Sequence, residues 1–399
     1  MPREFQRIKN LPPYVFAEVN KIKAEARKAG KDIIDFGMGN PDSPTPQHIV
    51  DKLKEASSDP RTHRYSLSVG IPGLRKAKAA YYERRFGVTL DPETEVIVTI
   101  GSKEGLSSLA TAISKPGDTI IVPNPHYPIH AFGFTIVGAK VKYINKNFSL
   151  TPKERDQDFL KQLKKIVEKS KTKPLAVIVN YPCNPTAETT TLAFYEELVD
   201  FCHYHDILII SDLAYNELYF DGNPPPSILQ VKKARDIAIE FTTMSKTYSM
   251  AGWRVGFAVG NKDIIYALKR IKSYLDYGAF APVQIAATAA LNGPQKCVED
   301  LRKLYKERRD VLVKGLNDAG WPVEAPPASM FVWAKIPDKF LHMGSVEFSK
   351  KLITDAEAAV APGLGFGENG DEYVRIALIE NLQRSKQAIR NIKHMIQKG

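Results

Sequence analysis

The chain has 399 residues, 43% of them hydrophobic and 25% charged, with a formal net charge of +11, which is the composition of a soluble globular protein too long for one small core and suited to one larger and one smaller domain. The longest apolar runs, such as 207–210, are far too short to span a bilayer, and three cysteines make no disulfide framework, so a membrane partner is excluded and a reducing cytoplasm is expected. The basic residues are scattered or lie along solvated helix faces, as at Lys161, Lys164, Lys165 and Lys169, so no nucleic-acid partner is expected and the charge does no more than steer anionic substrates.

The first seven residues are charged and lack an apolar stretch, unlike a signal peptide. Residues 1–30 read as an extended arm and a polar helix. From about 45 onward, β-like runs alternate with helical ones. Val96-Ile97-Val98-Thr99 is apolar and β-branched, and Gly-Ser-Lys-Glu-Gly (101–105) then opens a helix. Strands follow at 119–122 and 175–180, a helix at about 191–205, and strands at 207–211, 237–242 and 255–259. Apolar runs separated by helices imply βαβ units and a mainly parallel sheet buried on both faces. After about 282 the pattern changes to a long helix near 295–319, short strands near 330–335, 357–361 and 372–378, and a last helix after Asn381. This reads as a smaller α+β domain with no flexible linker before it.

The chemically distinctive residues fall just past the carboxyl ends of strands, where open α/β sheets bind ligands. Asp212 follows the run 207–211, with Tyr215 three residues later. Lys246 lies in Thr-Thr-Met-Ser-Lys-Thr-Tyr after the strand 237–242, Arg254 follows in Gly-Trp-Arg-Val-Gly-Phe, and Asn184 sits in Asn-Tyr-Pro-Cys-Asn-Pro-Thr. Taken singly they are ordinary: a strand-end aspartate usually caps a turn, and a lone lysine is usually a surface charge. Their combination and order, together with Ser-Lys-Thr-Tyr-Ser-Met-Ala-Gly-Trp-Arg-Val-Gly, resemble the fold-type I pyridoxal 5′-phosphate (PLP) enzymes of the aspartate aminotransferase family. The resemblance runs from Gly37-Met38-Gly39-Asn40-Pro41-Asp42 to Val374-Arg375-Ile376.

The resemblance implies an α/β fold: a large domain with a mainly parallel sheet between helices and a smaller α+β domain. Residues 1–41 would form an N-terminal arm and part of the small domain, 42–290 the large PLP-binding domain, and 291–399 the C-terminal small domain. It implies that Lys246 holds PLP as a Schiff base and then moves the substrate's proton as general base and acid. Asp212 matches the partner of the pyridine nitrogen, Tyr215 and Asn184 the partners of the ring hydroxyl, and Tyr127 the aromatic on the ring face. Ser102 and Lys103, opening a helix, match phosphate ligands through their amides, as do Thr243, Ser245 and Arg254. Tyr65 matches a residue that reaches the phosphate of the neighbouring subunit, which implies a homodimer with shared active sites. Arg375 matches the arginine that grips the substrate α-carboxylate by a bidentate pair, Gly39 the loop glycine beside it, and Tyr14 a cover for the site from the arm. No metal is implied.

Other candidates have plainer readings. Gly363, Gly365 and Gly367 are glycine-rich but are not expected to open a helix after a strand, which argues against a dinucleotide site. His203 and His205 are two apart on a helix and face different ways, and His126 and His130 flank the Tyr127 loop without a third ligand. Cys202 reads as core, and Cys183, where a serine is expected in close relatives, as a small turn residue. Segments such as Pro-Asn-Pro-His-Tyr-Pro-Ile-His and Arg-Ile-Lys-Ser-Tyr-Leu-Asp-Tyr-Gly resemble the branch holding glutamate–pyruvate (alanine) and LL-diaminopimelate aminotransferases. The stretch 321–344 is closest to the alanine type. The expected reaction is therefore L-alanine with 2-oxoglutarate, with LL-diaminopimelate or aspartate as alternative donors. A PLP-dependent carbon–sulfur lyase shares the fold, and a PLP-sensing regulator would need a DNA-binding domain ahead of residue 30.

Overall fold

The computed structural model describes residues 5–9, 11–12 and 15–398; Tyr14 lies outside them. Twelve strands are defined: β1 (Ile34–Asp35), β2 (Val96–Thr99), β3 (Thr119–Asn124), β4 (Lys140–Asn145), β5 (Ala176–Asn180), β6 (Leu208–Asp212), β7 (Ala238–Thr243), β8 (Gly256–Gly260), β9 (Phe331–Lys335), β10 (Ala358–Ala359), β11 (Ala361–Pro362) and β12 (Tyr373–Ala377).

Seven of them form one sheet in the order β2-β8-β7-β6-β5-β3-β4. Neighbours from β7 to β4 run parallel, and β8 is antiparallel to both β7 and β2. The apolar runs in β2, β3, β5, β6, β7 and β8 alternate between two cores, one on each face. Val177, Val179 and Phe257 enter one core, and Ile178, Ala258 and Phe241 the other. Helices cover both faces, as the uninterrupted apolar strands require. One carboxylate is built into this packing: Glu240 on β7 accepts hydrogen bonds from the hydroxyls of Tyr82, Ser211 and Ser227 and from Ile228 N. It thereby ties the helix Pro72–Phe86 to the sheet.

A separate core gathers Trp321, Phe348, Val332, Val374 and Ile392 around the antiparallel sheet β11-β12-β9 and the helices Lys296–Asp318, Gly344–Ala356 and Leu382–Lys398. Here β1 pairs in parallel with β10, so a segment near the start of the chain is stitched beside one near its end. Among the described residues, no helix is long and apolar enough to cross a membrane.

Three details differ from the sequence reading. Residues 140–145 form an additional strand, β4, matched residue for residue to β3 at the sheet edge. Its polar alternation, Lys-Val-Lys-Tyr-Ile-Asn, belongs to a half-exposed edge rather than to the buried runs used to find the others. The single strand expected at 357–361 is two short ones, β10 and β11, in different sheets. Gly363 does open a short 3-10 helix, Gly363–Phe366, straight after β11. A Cβ on Gly363 would lie 2.0 Å from Gly370 O and 2.4 Å from Tyr373 O, so close backbone packing accounts for the glycine.

Candidate active site

The carboxyl ends of the parallel strands deliver their side chains to one place. β6 ends on Asp212, β5 leads to Asn184, and β7 runs into the short helix Met244–Thr247 that carries Lys246. β3 leads to Tyr127, the residue before the helix Pro128–Ile136. After β2, Gly101 adopts φ +80° and the helix Ser102–Ile113 begins. The sheet β11-β12-β9 adds Arg375 on β12 and Phe331 on β9.

These residues line a cavity of about 430 Å³. Gly39, Ser102, Lys103, Tyr127, Asn184, Asp212, Tyr215, Thr243, Ser245, Lys246, Arg254 and Arg375 all contribute to its wall. Tyr65 does not: it is 86% exposed and its ring packs 4.6 Å from that of Tyr277. A larger crevice of about 580 Å³ opens beside Trp333 and Tyr373, but its cations Lys146 and Arg155 are both paired with Glu188.

Lys246 Nζ donates to Gly39 O at 2.7 Å. Burial, with the like charges of Arg375 and Arg254, pushes its amine down from 10.5 to about 8. Arg375 Nη1 donates to Asn184 Oδ1 at 2.8 Å and Nη2 to Gly37 O at 3.1 Å, and the guanidinium lies over the rings of Phe331 (4.2 Å) and Phe366 (4.6 Å). Asn184 is fixed in turn by its own N–H, which donates to Asn180 Oδ1 at 2.8 Å. Tyr215 is buried against Phe331 at 5.6 Å between centroids, and that burial raises its phenol well above the usual range.

Around the start of the helix Ser102–Ile113 the backbone is crowded. A Cβ on Gly256 would lie 2.6 Å from Ser102 N, and one on Gly101 would lie 2.1 Å from Arg254 Nη2. Two glycines thus let β8 and Arg254 close on the amides of the first helical turn, which have no intrahelical acceptor. Arg254 itself adopts φ +58° and donates to Ala251 O. Thr243 Oγ1 accepts from Ser245 N at 3.1 Å, capping the turn that presents Lys246.

The sequence reading missed His130. Its Nε2 lies 2.9 Å from Asp212 Oδ2, and both side chains are buried. Its position three residues after Tyr127, one turn into a helix opening at the cavity, was the available signal. His126 faces elsewhere, stacking on Tyr143 at 5.5 Å, and burial drops its pKa to about 3. His203 pairs with Asp236 on the surface, and Cys183 and Cys202 are buried and unbridged.

Residues 31–392 match the family described as aminotransferase class I and II. The chain belongs to that family. The aminotransferase is 59% identical over 393 residues to the putative aminotransferase AatC of Rhizobium meliloti (strain 1021), covering 98% of this chain and 95% of the relative. It is 53% identical to the glutamate–pyruvate aminotransferase AlaC of Escherichia coli (strain K12), over 98% and 94% of the two chains. Identity to the LL-diaminopimelate aminotransferase of Moorella thermoacetica (strain ATCC 39073 / JCM 9320) is 40%, over 99% of both. Among solved structures, substrate-bound BacF from Bacillus subtilis superposes with a TM-score of 0.91 at 38% identity, over 99% of this chain and 98% of that one. The aminotransferase is accordingly a fold-type I, PLP-dependent enzyme.

The cavity's own chemistry fits PLP. Asp212 Oδ1 is buried and has no hydrogen-bond partner among the described residues, so the site holds a carboxylate oxygen ready for a buried N–H. The amides of the first turn at Ser102, with Arg254 beside them, fit a phosphate. Lys246 offers an amine of lowered pKa within the same cavity.

Proposed function

We propose that this aminotransferase moves an amino group from L-alanine to 2-oxoglutarate, giving pyruvate and L-glutamate, with Lys246 as the covalent anchor and proton carrier. The observation that carries the substrate reading is the 53% identity to a glutamate–pyruvate aminotransferase over 98% of the chain. The 40% identity to an LL-diaminopimelate aminotransferase favours the second reading.

PLP, when bound, supplies a sink for the electrons left behind when the substrate Cα loses its proton. Asp212 Oδ1 would hold a proton at the ring nitrogen, and His130 fixes that carboxylate through Oδ2. Tyr215 and Asn184 would hold the ring hydroxyl, and Tyr127, on the same cavity wall, would support the ring. Ser102, Lys103, Thr243, Ser245 and Arg254 would hold the phosphate. Lys246 Nζ accepts the proton from Cα and returns it in the opposite half of the cycle; a pKa of about 8 leaves a useful fraction of free amine near neutral pH. Arg375, oriented by Asn184 and Gly37 O, grips the α-carboxylate shared by all four substrates. Lys103, exposed at the cavity wall, offers positive charge to the second carboxylate of glutamate and 2-oxoglutarate.

The active unit in this reading is a homodimer. Tyr65, Leu67, Tyr274, Tyr277 and Phe280 are large hydrophobic side chains that a single chain leaves 48–86% exposed, and a second subunit would cover them. Tyr65 would then enter the partner's site beside its phosphate. The domain division at residues 42 and 290 belongs to the same proposal.

The test is kcat/KM for a panel of amino donors and 2-oxo acids with the purified holoenzyme. L-Alanine with 2-oxoglutarate should lead. A higher value for LL-diaminopimelate or aspartate would overturn the alanine assignment. Pyruvate and ammonia released from cystathionine without an acceptor would point to a carbon–sulfur lyase.

A further inference from the structure

The segment 37–42 crosses the cavity without regular structure, yet it carries two of its acceptors. Gly39 O receives Lys246 Nζ at 2.7 Å, and Gly37 O receives Arg375 Nη2 at 3.1 Å. A Cβ on Gly39 would lie 2.7 Å from the Phe331 ring, so the segment sits tight against that wall. At its near end it is fixed by Phe36 O, which accepts from Ala377 N, and by Gly37 N, which donates to Asp35 Oδ1.

Its far end is held from outside the cavity. Arg308, on the helix Lys296–Asp318, donates Nη1 to Asp42 Oδ1 and Nη2 to Asp42 Oδ2, both at 2.7 Å. The Arg308 side chain is only 7% exposed. The same Nη1 donates to Leu378 O at 3.1 Å, one residue past the end of β12, the strand that carries Arg375. One buried guanidinium therefore ties the end of the segment to the strand bearing the carboxylate-binding arginine. A bidentate, charge-assisted pair fixes orientation as well as distance.

We infer that Arg308 and Asp42 form a positioning pair, setting the 37–42 segment against Lys246 and Arg375 and so setting affinity for the substrate α-carboxylate. This rests on the carboxylate role proposed for Arg375. Neither residue lines the cavity, so the pair acts through the segment. With the pair broken, residues 38–42 keep their near anchor and the packing of Gly39 on Phe331 but lose their far anchor, and binding must order that end again. The proton transfer at Lys246 is affected less, because Lys246 is held by β7 and its own capped turn.

The experiment uses holoenzyme with PLP content checked. Calorimetry measures binding of propionate, an unreactive monocarboxylate, and steady-state kinetics follow the preferred substrate pair. Asp42→Asn and Arg308→Met should raise both KM and the propionate dissociation constant by about 10- to 100-fold, the scale expected for small displacements in a site, while kcat falls less than about threefold. Arg308→Lys, keeping the charge but not the fork, should lie between. Arg309→Met is the control. Its guanidinium is equally buried on the same helix but pairs with Asp221 and Pro326 O, and the variant should bind propionate as the wild type does. Unchanged propionate affinity in Asp42→Asn and Arg308→Met, or an equal loss in Arg309→Met, overturns the positioning role. Arg375→Lys separates the two levels: if it too leaves propionate affinity unchanged, the carboxylate role of Arg375 fails and takes this inference with it. If Arg375→Lys weakens propionate and the Asp42 and Arg308 variants do not, only the positioning role fails.

Discussion

His130 Nε2 donates to Asp212 Oδ2 at 2.9 Å, and both side chains are buried. A carboxylate only accepts, so the proton sits on Nε2. The contact leaves Oδ1 as the one oxygen facing the ligand and locks its direction. Asp212→Ala should weaken PLP binding and lower kcat by on the order of 10²- to 10³-fold, the cost of removing a preorganised charge from a site. His130→Phe strands a buried acceptor, worth about 1–3 kcal/mol, and should give a smaller loss of the same kind. Stopped-flow measurement of the half-reaction checks both, and a His130→Phe enzyme slower than Asp212→Ala would contradict the assigned order of importance.

Lys246 has the pH signature of its surroundings. Burial first, then the like charges of Arg375 and Arg254, bring the amine to about 8. Covalent uptake of PLP by cofactor-free protein needs the neutral amine, so its rate should rise with pH through a midpoint near 8, not near the ordinary lysine value of about 10.4. Arg375→Met removes a repelling charge and should move the midpoint upward. The linked stability has a definite sign. The folded pKa lies below the unfolded one, so the unfolded chain binds more protons between about 8 and 10.4 and stability of the cofactor-free protein rises with pH across that window. Lys246→Met should remove this contribution.

Gly256 is tested by the smallest possible change. Its missing Cβ would stand 2.6 Å from Ser102 N and 2.8 Å from Gly101 C. Gly256→Ala should push β8 and the first turn of the helix Ser102–Ile113, proposed to bind the phosphate, apart. Overpacking of this kind costs about 1–3 kcal/mol, so PLP should dissociate roughly tenfold or more readily. Equilibrium dialysis reads this directly; wild-type PLP affinity would show that the close approach has no bearing on phosphate binding.

Much of this geometry was legible in the sequence because short motifs mark strand ends. Asp212, Lys246 and Asn184 each follow an apolar β-branched run, and the structure brings all three to one cavity. What the sequence hid depends on long-range packing. His130 and Asp212 are eighty-two positions apart, and nothing local says which of two histidines flanking Tyr127 turns inward. β1 and β10 share two residue pairs across more than 320 positions, too short a match to leave a pattern. β4 escaped notice because an edge strand keeps its polar residues. Arg308 reads in sequence as one more basic residue on a charged helix, and only the fold sets it against Asp42.

Tyr65 gives a test of subunit sharing. It is exposed in the single chain and packs on the exposed Tyr277 ring rather than lining its own cavity. The Tyr65→Ala and Lys246→Ala proteins should each be strongly impaired. After subunit exchange, a hybrid has one site with Lys246 from one chain and Tyr65 from the other, so activity should return. Verified exchange without recovery would mean that each site is complete within its own chain.

The most direct measurement is a single half-reaction without acceptor. Holoenzyme mixed with L-alanine alone should release one pyruvate per Lys246 and stop, and added 2-oxoglutarate should then yield one L-glutamate per site and restore the starting spectrum. The Lys246→Ala protein should release none. Pyruvate that keeps accumulating with ammonia, or no pyruvate from L-alanine while another amino acid gives its full stoichiometric burst, would contradict the account.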